Sequence, residues 1–267
     1  MNTGSRIGSK QTAKGSNCPF DIFGPVLDEA ERLGMQVLLG LGRSGDTYLL
    51  WEFEKPDWVQ RNQQALDVAG RIAAELHARY GRRKSFGGWY LTHEMNDLAK
   101  SSAYYDPLAA CCHKLAPGKP VLVAPAGTPI ITKEQLVKSK VDIFAYQDAV
   151  GTGYVPNQYT YKPERRLAML TDVYRQYAEW HEGTGKKIWS DFEAWEMDGT
   201  KGYSGAYPAT FDRVKRQMEL EAPYVEMLTL YAWHGYVQDP RNTSEKPNSK
   251  ARALFTQYYQ WIKGKSP

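Results

Sequence analysis

The chain has little of what would place it in several broad classes. No run approaches the roughly 20 consecutive apolar residues of a membrane span, so no membrane-spanning segment is expected. Cysteine is scarce, with three in 267 residues: Cys18 and the adjacent pair Cys111 and Cys112. That number and spacing exclude a disulfide framework and do not match a zinc site; buried or idle thiols are expected instead. Net charge is small, +4 from 34 basic and 30 acidic residues. Because the basic residues are dispersed among acidic ones, no nucleic-acid partner is expected. Residues 1–19 read as a polar tail, and Met1 to Asn17 holds Ser, Gly, Lys and Thr without the apolar core of a signal peptide. Internal repeats, linkers and low-complexity blocks are missing from the remainder. Residues 20–267 are therefore expected to form one domain, a length that α/β barrels reach undivided.

What the chain does have is aromatic side chains: 13% of its residues, with 18 Tyr and 8 Trp. Tyr154, Tyr159, Tyr161, Tyr203 and Tyr207 fall in apparent loops. A flat apolar ring near a cleft is what stacks on the apolar face of a pyranose. For any one of them the plainer account is preferred, in which a tyrosine fills the outer core and its hydroxyl reaches water.

Short apolar runs alternate with longer amphipathic stretches, the pattern of a parallel sheet with crossover helices. The strand runs are Met35–Leu41, Gly88–Glu94, Pro120–Ala126, Asp142–Asp148, Lys187–Glu193 and Met227–Trp233, rich in Val, Ile, Leu, Tyr and Trp as strands buried on both faces should be. Helices are expected over Phe20–Leu33, Pro56–Tyr80, Ala103–Leu115 (interrupted by Pro107), Thr132–Ser139, Pro163–Glu182, Pro208–Glu221 and Asn248–Lys263. Gly34, Gly81 and Gly183 mark helix ends, and Thr132 with Gln135 makes a capping box. Ala149–Lys162 and Trp195–Tyr207 read as long loops. Six strands with a helix after the last give an α/β fold of the TIM (β/α)8 type, with strands three to eight visible and the first two expected to be lacking. An open, doubly wound six-stranded sheet is the alternative.

In such barrels the catalytic groups project from the C-terminal ends of the strands. The second run ends in His93-Glu94 and the fifth in Asp191-Phe192-Glu193. A glutamate closing an apolar strand is costly to bury and needs a reason. Two of them on separate strands match glycoside hydrolysis, in which one carboxylic acid protonates the leaving oxygen and a carboxylate attacks or activates water. A buried salt bridge is the plain alternative for either one taken alone. Around them, Tyr146, Gln147 and Asp148 end the fourth run, where they could bond sugar hydroxyls or orient Glu193. Asp191 shares a strand face with Glu193 and could raise its proton affinity. Arg43 follows the first run, and Asn96 and His234 sit beside the expected cleft. His93 could ligate metal, but no further ligand stands near it at metal spacing. No cofactor and no metal are expected.

The runs Gly-Trp-Tyr-Leu-x-x-Glu (88–94), Asp-Ile-Phe-Ala-Tyr-Gln-Asp (142–148) and Asp-Phe-Glu (191–193) resemble an uncharacterised bacterial family with a glycosidase-like barrel. The layout of the two glutamates is similar to that of the retaining glycoside hydrolase clan with catalytic glutamates on strands four and seven. The resemblance spans about Phe20 to Trp261. It implies Glu94 as acid/base, Glu193 as nucleophile and Trp233 as the aromatic platform beneath the reacting sugar. Where those hydrolases usually carry Asn before the acid, this chain has His93. A poly- or oligosaccharide is the implied substrate, and export to the periplasm or the medium is the implied destination of a full-length form. The competing readings are a carbohydrate-binding barrel without catalysis and an inactive fragment.

Overall fold

The computed structural model describes residues 21–42, 49–155, 162–198, 202–232, 236–237, 239 and 249–264. In chain order the elements are α1 (Phe23–Arg32), β1 (Val37–Gly40), α2 (Trp58–Tyr80), β2 (Phe86–Leu91), α3 (Leu98–Leu115), β3 (Val121–Val123), α4 (Lys133–Lys138), β4 (Ile143–Gln147), α5 (Pro163–His181), β5 (Lys187–Glu193), β6 (Trp195–Asp198), β7 (Gly202–Pro208), α6 (Phe211–Glu221), a 3-10 turn (Ala222–Tyr224), β8 (Met227–Tyr231) and α7 (Ser249–Lys263). Among the described residues no helix is long and apolar enough to cross a membrane.

Hydrogen bonding orders six strands β1-β2-β3-β4-β5-β8, with β6 and β7 apart as an antiparallel pair. Each strand of the six lies beside its predecessor in the series. A doubly wound sheet reverses its order at a switch point, and no reversal occurs here. Right-handed crossovers that all step the same way keep the helices on one face, which is the arrangement of a (β/α)8-type barrel sheet with six of its strands. The fold class expected from the sequence is the one observed. The stretch expected as a loop over Trp195–Tyr207 instead contains the β6–β7 ladder, in which Trp195 faces Pro208 and Glu196 faces Tyr207.

The chain folds as two compact units. The first runs to Pro125 and adds Pro129–Phe144 and Thr184–Lys186. Its core is built from Phe86 and Trp89 of β2, edge to face at 5.0 Å, with Leu39, Val121 and Val123 from the flanking strands and Ile72, Ala73 and Leu76 from α2. Pro107 lies inside α3 and has no N–H to give the carbonyl of Ala103 one turn earlier. Asn62 of α2 takes that carbonyl with its side-chain amide at 3.2 Å, so the residue that would break the helix supplies a bond between helices. The capping box read from the sequence at Thr132 and Gln135 is formed.

The second unit comprises Ala126–Thr128, Ala145–Gly183 and the chain from Lys187 onward. Strand β4 passes through both units, pairing with β3 through Ile143 and Phe144 in the first. Tyr146 of β4 stacks on Tyr177 of α5 with ring centres 3.9 Å apart, and Tyr174 donates to the carbonyl of Tyr146 at 2.8 Å. Phe192, Val214, Met218 and Leu254 make the apolar cluster under α6 and α7.

In β2, Gly87 is the extra residue where the register with β1 shifts between Val37 and Leu38. Gly88 follows at φ 150°, and a Cβ there would stand 2.4 Å from the carbonyl oxygen of Pro120. That same carbonyl accepts the N–H of Trp89 at 2.9 Å, so neither partner can retreat without breaking the ladder that leads to Glu94. Gly88→Ala is expected to destabilise the protein by roughly 2 kcal/mol or more, read as a lower urea midpoint with an unchanged m-value.

Candidate active site

Strand alternation divides the end of β2 between two faces. Trp89, Leu91 and His93 are buried, whereas Tyr90 and Thr92 are half-buried and Glu94 is exposed. His93 lies against the ring of Tyr104 at 5.1 Å, and its carbonyl accepts the hydroxyl of Tyr105. It therefore faces α3, and Glu94 points the other way. Asn96 is half-buried, and its carbonyl accepts the N–H of Ile130 at 2.6 Å. Asp97 then caps α3 by accepting from Lys100 N–H.

At the end of β5, in the second unit, Glu193 is 5% exposed. One carboxylate oxygen, Oε2, accepts the N–H of Thr152 at 3.0 Å. The turn that supplies this donor, residues 148–154, lies directly on the carboxyl. A Cβ on Gly151 would stand 2.8 Å from Glu193 Oε2 and 2.4 Å from the Trp195 carbonyl oxygen, so this close approach requires glycine. Ala149 in the same turn sits at φ 56°, a left-handed conformation that costs a residue with a Cβ about 1–2 kcal/mol. Asp148 holds the turn in place. Its Oδ1 accepts the N–H of Val150 at 3.1 Å and that of Glu193 at 3.2 Å.

Burial pushes the Glu193 carboxyl up to about 8, with the negative charge of Asp148 the next contribution and the Thr152 N–H and Arg213 opposing it. At neutral pH this glutamate keeps its proton. The carboxylate that acts on it most strongly is Asp148 of the neighbouring strand rather than Asp191, which is half-buried on β5. Glu221, 0% exposed, is also held well above the usual carboxylate range by burial and by Asp148, and Ser190 donates to it.

Three of the groups that complete this cluster come from α6 and were not singled out in the sequence. Arg213, Gln217 and Glu221 are spaced by four, which places them on one face of a helix. Gln217 donates from Nε2 to Asp148 Oδ2 and to the Glu193 carbonyl, the latter at 3.2 Å. Arg213 donates to the carbonyls of Glu193 at 3.2 Å and Trp195 at 2.5 Å, and to Gln217 Oε1 at 2.9 Å. The signal was present: a long polar side chain every fourth residue, beside the apolar pair Val214 and Met218, marks a buried polar stripe.

Of the other residues singled out, Tyr146 is buried with its hydroxyl 2.8 Å from His181 Nε2, so it supports the core of the second unit. Gln147 is half-buried. Asp148 is 0% exposed and serves the turn and Glu193, the orienting one of its two expected roles. Arg43, Trp233 and His234 lie outside the described residues. Tyr231, the residue paired with Glu193 across the β5–β8 ladder, is 58% exposed and is an aromatic that the sequence reading passed over. Among the described residues no group of three His, Cys, Asp or Glu stands close enough to hold a metal ion.

The fold is that of glycosidase-like α/β barrels. A candidate alpha-L-fucosidase from Bacteroides thetaiotaomicron VPI-5482 superposes with a TM-score of 0.66 at 18% identity, covering 97% of this chain and 78% of the other. The endo-1,4-beta-D-mannanase of Thermotoga petrophila RKU-1 gives 0.58 at 12%, covering 88% and 78%. A glycoside hydrolase family 5 mannosidase from Rhizomucor miehei gives 0.51 at 12%, covering 89% of this chain and 74% of the other. At these identities the likeness establishes the fold. The chain itself belongs to the DUF4434 family, a domain of unknown function whose pattern matches residues 7–244. Among curated proteins no match was found.

Glu193 and Glu221 both bind protons more tightly folded than unfolded, so the native state holds the extra protons above pH 4.5, the ordinary glutamate value. Their contribution to stability is complete below that pH; that of Glu193 is lost as pH rises through about 8, and that of Glu221 as pH rises through its own raised value. For Glu193 the loss is on the order of a few kcal/mol. Urea unfolding between pH 5 and 8 should show stability declining, and Glu193→Gln should flatten the decline without abolishing it, because Glu221 remains.

Proposed function

We propose that this protein is a glycoside hydrolase that cleaves O-glycosidic bonds of a poly- or oligosaccharide with Glu94 and Glu193 as its two carboxyl groups. The observation that carries the reading is a glutamate at the end of a parallel strand, 5% exposed and keeping its proton near neutrality, in a fold shared with glycoside hydrolases. Burying a carboxyl beside another carboxylate is a cost with no evident structural return, and such costs concentrate at functional sites. Glu94, exposed three residues beyond β2, supplies the second carboxyl.

In this proposal Glu94 is the acid/base and Glu193 the nucleophile of a retaining mechanism. Glu193 then has to lose its proton before it can attack, and the 148–154 turn has to yield enough for a sugar carbon to reach it. Tyr231 and Tyr154, 58% and 44% exposed, offer ring faces to a glycan. The covered state of Glu193 is also what a carbohydrate-binding barrel without turnover would show, so that reading stands second.

A reducing-end assay on mannans, β-glucans and fucosylated glycans tests both. Glu94→Gln and Glu193→Gln are each expected to lower kcat by about 10²–10⁴ while glycan binding, followed by calorimetry, is kept. Binding without wild-type turnover on any glycan would favour the second reading. In the wild type, kcat/KM should rise with pH through about 8, because the attacking form of Glu193 is the ionised one. A fall through that pH would transfer the acid role to Glu193 and leave Glu94 as base.

A further inference from the structure

Gln217 is 0% exposed, and its amide has one orientation available. Arg213 Nη1 can only donate, and it stands 2.9 Å from Oε1. Nε2 must therefore face the other way, toward Asp148 Oδ2 and the carbonyl of Glu193. Asp148 in turn receives N–H donors on both oxygens: Val150 and Glu193 on Oδ1, Gln217 on Oδ2. Its own carbonyl accepts Arg166 Nε at 2.6 Å. The backbone of Glu193 is thus held at both ends, its N–H by Asp148 and its carbonyl by Gln217 and Arg213.

We propose that Asp148 and Gln217 form a positioning pair that fixes the backbone of Glu193 and, through the charge of Asp148, governs the ionisation of its carboxyl. The inference deepens the hydrolase reading and assigns these two residues no contact with substrate. The charged and titratable groups around Glu193 are Asp148 at the end of β4, Arg166 and Tyr174 of α5, Glu196 and Tyr207 of the β6–β7 pair, and Arg213 and Glu221 of α6. The two arginines oppose the acids. Arg166 spends its bonds on the carbonyls of Asp148 and Gly127, and Arg213 spends its own on those of Glu193 and Trp195 and on Gln217 Oε1. Neither arginine is hydrogen-bonded to the Asp148 carboxylate, whose side-chain partners are Gln217 and the proton-bearing Glu221, so its negative charge bears on Glu193. The Glu193 carboxyl lies in its field, buried and pushed up to about 8.

The test is a carbon-13 titration of the full chain labelled at glutamate and aspartate carboxyl carbons, with Glu193→Gln identifying the Glu193 resonance. In the wild type a step near pH 8 is expected at Glu193 and is felt at the Asp148 carbon. Asp148→Asn keeps an acceptor for the two N–H groups and removes the charge. It is expected to lower the proton affinity of Glu193 roughly tenfold or more. Asp148→Ser, whose hydroxyl can still accept from Val150 N–H, serves as a second neutral variant, and Asp148→Glu should keep the Glu193 step high. A wild-type Glu193 that titrates in the ordinary carboxylate range overturns the proposal without any variant. So does a step that stays near 8 in a neutral variant with native near-ultraviolet circular dichroism. The readout involves no sugar. A Glu193 step that follows the charge at 148 in a protein that cleaves no glycan would sustain the pair and sink the hydrolase reading; turnover with an unmoved step would do the reverse.

Discussion

A carboxylate with no exposure at all, Asp148, sits where β4, the following turn, β5 and α6 come together, and much of the second unit is arranged around it. Three carboxyl side chains, Asp148, Glu193 and Glu221, are buried with two guanidinium groups, Arg166 and Arg213. Neither arginine bonds directly to Asp148's carboxylate; both are used on backbone carbonyls. An uncompensated buried charge costs several kcal/mol, and the protein limits that cost by leaving protons on Glu193 and Glu221. With those protons in place a single carboxylate shares the network with two guanidinium groups, and Arg166 Nη1, Arg213 Nε and Glu221 Oε1 are buried without a hydrogen-bond partner among the described residues. A core selected for stability alone gains nothing from such a polar cluster, because apolar residues of similar volume would serve as well or better.

The turn after β4 follows from the same constraint. With Asp148 Oδ1 committed to Val150 and Glu193, the chain is forced through Ala149 at φ 56° and down onto the Glu193 carboxyl at Gly151. The β6–β7 pair closes over it, with Met197 N–H reaching the carbonyl of Gly151 at 2.8 Å. Strain in the turn, burial of Glu193 and fixation of β6 thus share one origin.

The fold was legible because its signals are local and repeated. Lys187–Glu193 was bounded correctly by its apolar run, and the seven helices were bounded to within a few residues by Gly, Pro and the Thr132 cap, α3 beginning earlier because Asp97 caps it. The β6–β7 ladder was missed although Trp195 and Met197 alternate with Glu196 ahead of an Asp198-Gly199 turn signal. The expectation of a loop between barrel elements outweighed a period-two pattern only four residues long. For Glu193 the sequence offered two acids, Asp191 two residues away and Asp148 from 45 residues earlier, and Asp148 is the one bonded to it; Gln217, 24 residues later, was not singled out. Such pairings exist only once β4 and β5 are in register.

That difference between local and non-local signals bears on how chemistry is divided in this chain. Glu94 is exposed three residues beyond β2, next to a His93 carbonyl that takes the hydroxyl of Tyr105, so its exposure asks nothing of distant residues. Glu193 is the opposite case. Its proton depends on burial and on a carboxylate from another strand, and its backbone on a helix that follows it. A substitution anywhere in the Asp148–Gln217–Arg213 chain of bonds would therefore reach Glu193. The environment that holds the Glu193 proton is thus assembled entirely by tertiary structure.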